Sequence, residues 1–205
     1  MFDRSIRKLI DPALNAIGQS IARRGVSANA VTWIGFSCGC LAALAILQGA
    51  FYVGLLFLLL SRSCDGVDGA VARAGDGNSQ GSDLGGFLDI VLDFAFYGLI
   101  PFAFILADPS NNAVSGSLLL LVFYVNGASF LTYGLMVEKR GLKDEERGEK
   151  SLLYTAGLAE GSETIFVFVL FCLFPQWFSL LAYGFSAVVA ITTISRFALA
   201  YRLLK

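Results

Sequence analysis

Between Leu84 and Leu106 the chain reads LGGFLDIVLDFAFYGLIPFAFIL, 23 residues whose only charges are Asp89 and Asp93. The hydrocarbon layer of a bilayer is about 30 Å thick and a helix rises about 1.5 Å per residue, so about 20 such residues cross it. Lipid offers no partner to a backbone amide, so a single run of this kind can cross only as a helix. Five more runs of similar character occupy 30–47, 50–64, 117–136, 152–174 and 178–201. With 56% hydrophobic and only 15% charged residues, the chain lies outside the soluble norm. The predicted fold is all-α and integral to the membrane: six transmembrane helices form one domain over 27–205, preceded by an amphipathic interfacial helix over 1–26.

Of the six runs only 50–64 is short. It passes directly into an aspartate-rich stretch, so this helix is expected to continue past Cys64 and to carry the first carboxylates. The stretches RAGDGNSQGSD and ADPSNNAVSG, rich in turn-forming residues, read as loops. Basic residues set the orientation. Arg4, Arg7, Lys8, Arg23 and Arg24 precede the first span, Arg62 and Arg73 lie at the junction of the second and third, and Lys139 to Lys150 join the fourth and fifth. Arg196, Arg202 and Lys205 close the sixth, so all fifteen basic residues fall on one side, and both termini are expected to be cytoplasmic in a bacterial-type inner membrane.

Met1 to Arg24 lacks the continuous apolar core of a signal peptide. Ile6, Leu9, Ile10, Ala13, Leu14, Ile17 and Ile21 recur at helical spacing with basic residues between them, the pattern of a helix lying in the interface. The four cysteines, at 38, 40, 64 and 172, all fall in predicted spans and the chain has no histidine. Neither a disulfide framework nor a zinc site is expected. No nucleic-acid partner is expected.

Six aspartates stand between Ser63 and Asp93. Asp65, Asp68 and Ala72 share one face of a helix, and Asp89 and Asp93 share a face of the next. An ionised group within a membrane helix costs about 2.5–3.5 kcal/mol on insertion scales, so something cationic must compensate. Arg73 can neutralise one carboxylate. Four acids without histidine or thiolate suit hard, oxygen-seeking divalent ions, Mg2+ or Mn2+, and a pair of such ions serves phosphoryl chemistry. Gly66, Gly69, Gly85 and Gly86 either let a ligand approach the backbone or let helices pack tightly. Asp76 and Asp83 read as loop or capping residues, with Asp83 placed to cap the third span.

DGVDGAVAR followed by GGFLDIVLD resembles the signature of the CDP-alcohol phosphotransferase family, D-x-x-D-G-x-x-A-R, a spacer, then G-x-x-x-D-x-x-x-D. The matching positions are Asp65, Asp68, Gly69, Ala72, Arg73, Gly85, Asp89 and Asp93. SANAVTWIG is similar to the Pro-Asn-x-x-Thr opening of the family's first span, with Ala28 in place of the proline. The 11-residue spacer from Arg73 to Gly85 is longer than usual for the family. The resemblance implies a divalent-metal-dependent enzyme of phospholipid biosynthesis. It would transfer a substituted phosphate, phosphatidyl in most bacterial-type members, from a CDP-linked donor such as CDP-diacylglycerol to a small alcohol, releasing CMP. It also implies a homodimer in contact with membrane lipid.

Carried over residue by residue, the resemblance gives Asp65, Asp68, Asp89 and Asp93 to two Mg2+ or Mn2+ ions. Asn29, Thr32, Asp65, Gly69, Ala72 and Arg73 would form the nucleotide site. Asp93 is the expected general base, accepting the proton of the attacking hydroxyl. Glu160 and Glu163 lie within the fifth predicted span and have three open readings: an acceptor-recognition wall, a structural pair with Arg196, or a dimer contact. Lys150 joins them as an acceptor-binding candidate, since an anionic acceptor would require a cation. A cation transporter or channel would also explain intramembrane acids, but not the Gly-x-x-Ala-Arg half of the signature.

Overall fold

The computed structural model describes residues 3–74, 83–141 and 161–204, and among them every regular element is helical. The helices are α1 (Asp3–Arg23), α2 (Ala28–Leu47), α3 (Phe51–Ala74), α4 (Asp83–Ala107), α5 (Pro109–Lys139), α6 (Gly161–Leu173) and α7 (Phe178–Leu204), with one turn of 3-10 helix at Pro175–Trp177 before α7. Among the described residues four segments are long and apolar enough to cross a membrane: Ala28–Leu47, Asp83–Ala107, Pro109–Lys139 and Pro175–Arg202. The 24 residues of α3 would also reach across, at about 36 Å, but Arg62, Asp65, Asp68 and Arg73 crowd its second half.

Helices α1–α4 form one compact unit and α5–α7 another. In the first, α2 packs along both α3 and α4, and α1 lies along α3. Ser27 starts α2 two residues earlier than the apolar run suggests, because its hydroxyl accepts from the Ala30 amide at 3.3 Å. Gly49, with φ 76°, makes the tight turn into α3. As expected, α3 continues past Cys64, so Asp65 and Asp68 stand on its last turns.

The α2–α3 seam is close. A Cβ on Gly54 would come within 2.7 Å of Ile46, and one on Gly35 within 2.9 Å of Cys64. Leu58, Ile46, Ala42, Phe96, Ile100 and Phe104 fill the interior, with Phe51 stacked on Phe104. The N-terminal segment forms a helix, α1. Leu14, Ile21 and Ala22 pack on Val67 and Val71 of α3, and Gly18 is buried so closely that a Cβ would stand 2.6 Å from Ala70. Ile17 remains exposed.

In the second unit α5 packs on α7. An aromatic chain runs from Phe185 through Phe123, Phe168 and Phe171 to Phe178. Outside it Leu121, Leu180 and Ile194 are exposed, which suits a surface facing lipid. One sequence expectation fails here: ADPSNNAVSG is not a loop, and the helix expected from Ser117 begins at Pro109. Asp108 caps it, accepting from the Asn111 amide at 3.3 Å, and Pro109 occupies the first turn, where a missing N–H costs nothing. The added turns are packed, since Asn112, Ser115 and Gly116 are buried. All four cysteines are free.

A candidate metal and nucleotide site on the first unit

Small residues on α2 draw the acidic faces of α3 and α4 together. Thr32, Gly35 and Gly39 lie on one face at helical spacing. Gly35 admits the Cys64 turn of α3, and Gly39 admits the ring of Phe96 from α4, which a Cβ would meet at 2.8 Å. The result is a trio of carboxylates from two helices: one oxygen each from Asp65, Asp89 and Asp93 lies within 4.8 Å of the others.

The fourth aspartate stands apart from that trio. Asp68 is buried and accepts from the Thr32 hydroxyl at 2.7 Å, a charge-assisted bond that ties α3 to the first turns of α2. It still faces the same pocket, which Thr32, Gly35, Arg62, Asp65, Asp68, Asp89 and Asp93 line. An all-oxygen donor set with this spacing fits a hard divalent ion, whose ligand oxygens on opposite sides stand about 4–5 Å apart.

Arg62 is the feature that sequence reasoning missed. It served there only as a topology marker, yet its Nη1 stands 2.7 Å from Asp93 Oδ1 and 3.5 Å from Asp65 Oδ1. Its guanidinium lies 3.9 Å from the centre of the Phe96 ring. Its position three residues before Asp65, on the same helical face, was the available signal. Arg73, by contrast, is exposed, and its Nη2 donates to Asn15 of α1 at 3.2 Å.

Beside the cluster opens a cavity of about 530 Å3, within the range of small-molecule sites. Asn29, Thr32, Asp68, Gly69, Ala72, Gly85, Gly86 and Asp89 line it, so five of the eight signature positions and both expected α2 residues meet there. Thr32, Asp68 and Asp89 line this cavity and the carboxylate pocket alike. The glycines divide by role. Gly66 faces Leu14 of α1 and serves packing, whereas Gly69 has only Arg73 within reach and Gly86 nothing, so both present bare backbone to the cavity.

Lys150, Glu160 and Asp76 lie outside the described residues, as do residues 75–82 of the long spacer. Asp83 is the first residue of α4. Glu163 sits in the first turn of α6, in the second unit, and accepts from the Ser162 hydroxyl at 3.0 Å. Arg196 is 5% exposed on α7, and its Nη1 donates to the carbonyl and side-chain oxygens of Asn126 and to Ser129 of α5.

The model of one protein family, CDP-alcohol phosphatidyltransferase, matches residues 26–199. "Inner membrane protein YnjF" of Escherichia coli (strain K12) is 41% identical over 205 residues, covering 100% of this chain and 98% of that protein. "Archaetidylinositol phosphate synthase" of Pyrococcus horikoshii is 36% identical over 89 residues, which is 43% of this chain and 45% of that one. The apolar helices and the inner-membrane relative together make this an integral membrane protein.

Proposed function

This chain belongs to the CDP-alcohol phosphatidyltransferase family, and from that premise we propose that it transfers a phosphatidyl group from CDP-diacylglycerol to a small alcohol, releasing CMP. The observation that carries the proposal is the convergence of Asp65, Asp89 and Asp93 beside a cavity walled by Gly69, Ala72 and Gly86. Asp65, Asp68, Asp89 and Asp93 would hold the divalent metal, Mg2+ or Mn2+, proposed as a pair of ions. Six spans, cytoplasmic termini and a homodimer belong to the same reading.

In this scheme the cytidine enters along bare backbone at Gly69 and Gly86, where a side chain would exclude a flat ring. Asn29 and Thr32 face it from α2. Arg73, placed by Asn15, meets the donor's phosphates. The acceptor oxygen bonds to the donor phosphorus as the bond from that phosphorus to the CMP oxygen breaks, and the electron pair leaves with CMP. The acceptor's proton passes to Asp93. Arg62 holds that carboxylate in place by donating to its Oδ1. Bound cations supply positive charge against the pyrophosphate and the departing CMP. Lys150, Glu160 and Glu163 are proposed to recognise the acceptor.

The test is CMP release by the full-length protein in detergent, with CDP-diacylglycerol and a panel of acceptors, in Mg2+ and in EDTA. The panel holds glycerol phosphate, serine, inositol and, because of the archaeal relative's name, inositol phosphate. Metal-dependent CMP release with one acceptor supports the proposal. Absence of CMP with every acceptor, together with no thermal stabilisation by CDP and Mg2+, rejects it.

A further inference from the structure

Arg62 has the features of a fixed charge rather than a swinging one. Its side chain is 10% exposed, its guanidinium lies on the fully buried ring of Phe96, and its Nε is buried with no hydrogen-bond partner. Gly39 holds the ring in place, because only a residue without a Cβ lets Phe96 lie there. Nη1 reaches Asp93 and Asp65, two of the three acids whose oxygens converge, and Nη2 comes within 3.4 Å of Ser61. A guanidinium stays charged at any physiological pH.

We infer that Arg62 is a positioning residue for Asp93 and a built-in competitor of the divalent cation, so that the cluster binds metal weakly alone and well only together with a nucleotide diphosphate. The inference rests on the metal reading proposed above. Arg62 takes lone pairs that a cation would use and repels the cation as well, since both are positive within one carboxylate cluster. A pyrophosphate brought into the adjoining cavity adds negative charge and tips the balance back toward the cation. By linkage, whatever CDP does for the cation the cation does for CDP, so metal and donor load as a pair.

Mn2+ binding to the full-length protein in detergent, read from the electron paramagnetic resonance signal of free Mn2+, tests this without turnover. The unaltered protein is expected to bind Mn2+ weakly and to tighten on adding CDP. Arg62→Gln is expected to bind Mn2+ at least tenfold more tightly without CDP, about 1.4 kcal/mol, and to gain less from CDP. Arg62→Lys, which keeps the charge, should return to weak binding, and adding Asp89→Asn to Arg62→Gln should abolish the gain. If Arg62→Gln does not fold, Phe96→Leu removes the ring that holds the guanidinium and should shift Mn2+ affinity in the same direction. Unchanged or weaker Mn2+ binding in both variants, with CDP enhancement intact, overturns the role of Arg62 alone. Absence of Mn2+ binding to the unaltered protein, with and without CDP, overturns the metal site and the competition together.

Discussion

Gly39→Ala adds one methyl group at the point where three helices meet, and its effect can be worked from the geometry. The new Cβ would stand 2.8 Å from Phe96 Cδ2 and 3.3 Å from Cε2, with Ser61 Oγ at 3.4 Å. Phe96 is fully buried and has nowhere to retreat. Overpacking of this kind costs about 1–3 kcal/mol, against which alanine gains about 1 kcal/mol of helix propensity over glycine. The net is a loss of up to about 2 kcal/mol, or several degrees in melting temperature.

The background decides the sign. In a Phe96→Ala background the clash is gone, only the propensity gain remains, and the same Gly39→Ala change should stabilise by up to about 1 kcal/mol. Thermal unfolding of the four proteins in detergent, run as a double-mutant cycle, measures the difference. The chemistry should follow, because a displaced Phe96 moves the guanidinium above it and so Asp93, and CMP release by Gly39→Ala should fall. Equal melting shifts in the two backgrounds would refute the account of Gly39 as the socket for Phe96.

Asp93→Asn should lower CMP release by about 10²–10⁴-fold, the usual contribution of a general base, and because an amide can still accept from Arg62 the protein should melt close to the unaltered one; turnover at the normal rate would remove Asp93 from that role. Thr32→Val deletes the bond to Asp68 and should cost about 1.5 kcal/mol in thermal unfolding, while Thr32→Ser, which keeps the hydroxyl, should recover most of it. Gly18→Val would drive a side chain into the backbone carbon of Ala70, 2.8 Å from the position of its Cβ, and should release α1 from α3, seen as faster tryptic cleavage after Arg23 and Arg24. Asn15→Ala unties Arg73 and should raise the KM for the CDP-linked donor several-fold with little change in kcat; a fall in kcat at constant KM would contradict the placement of Arg73 on the donor.

Much of the site was legible because it is periodic. Asp65 with Asp68, and Asp89 with Asp93, recur at three and four residues, so a helix puts each pair on one face whatever surrounds it. Of the six residues expected around the nucleotide, Asn29, Thr32, Gly69 and Ala72 line one cavity, whereas Asp65 and Arg73 are not part of its lining. The misplaced start of α5 has a local cause: Asp-Pro is as good a helix opening as a turn, and the polar residues that follow pack inside, Asn112 and Ser115 being buried. Arg62 was misjudged because a basic residue near a span end is ordinarily a topology signal, and nothing in its neighbours along the chain says that an aromatic face awaits it.

By itself, then, the sequence determined an all-helical membrane chain and the two acidic faces, because hydrocarbon burial and helical period act on each segment alone. Tertiary structure decided which acids meet: Asp65, Asp89 and Asp93 together, with Asp68 bonded to Thr32. It also decided that Gly66 packs against Leu14 while Gly69 and Gly86 stay bare, and that a buried arginine stands among the acids. The physical reason is that each of these depends on which helix lies beside which. Gly39 of α2 admits Phe96 of α4, and that ring holds Arg62 of α3 against Asp93, a chain of contacts among residues far apart in sequence.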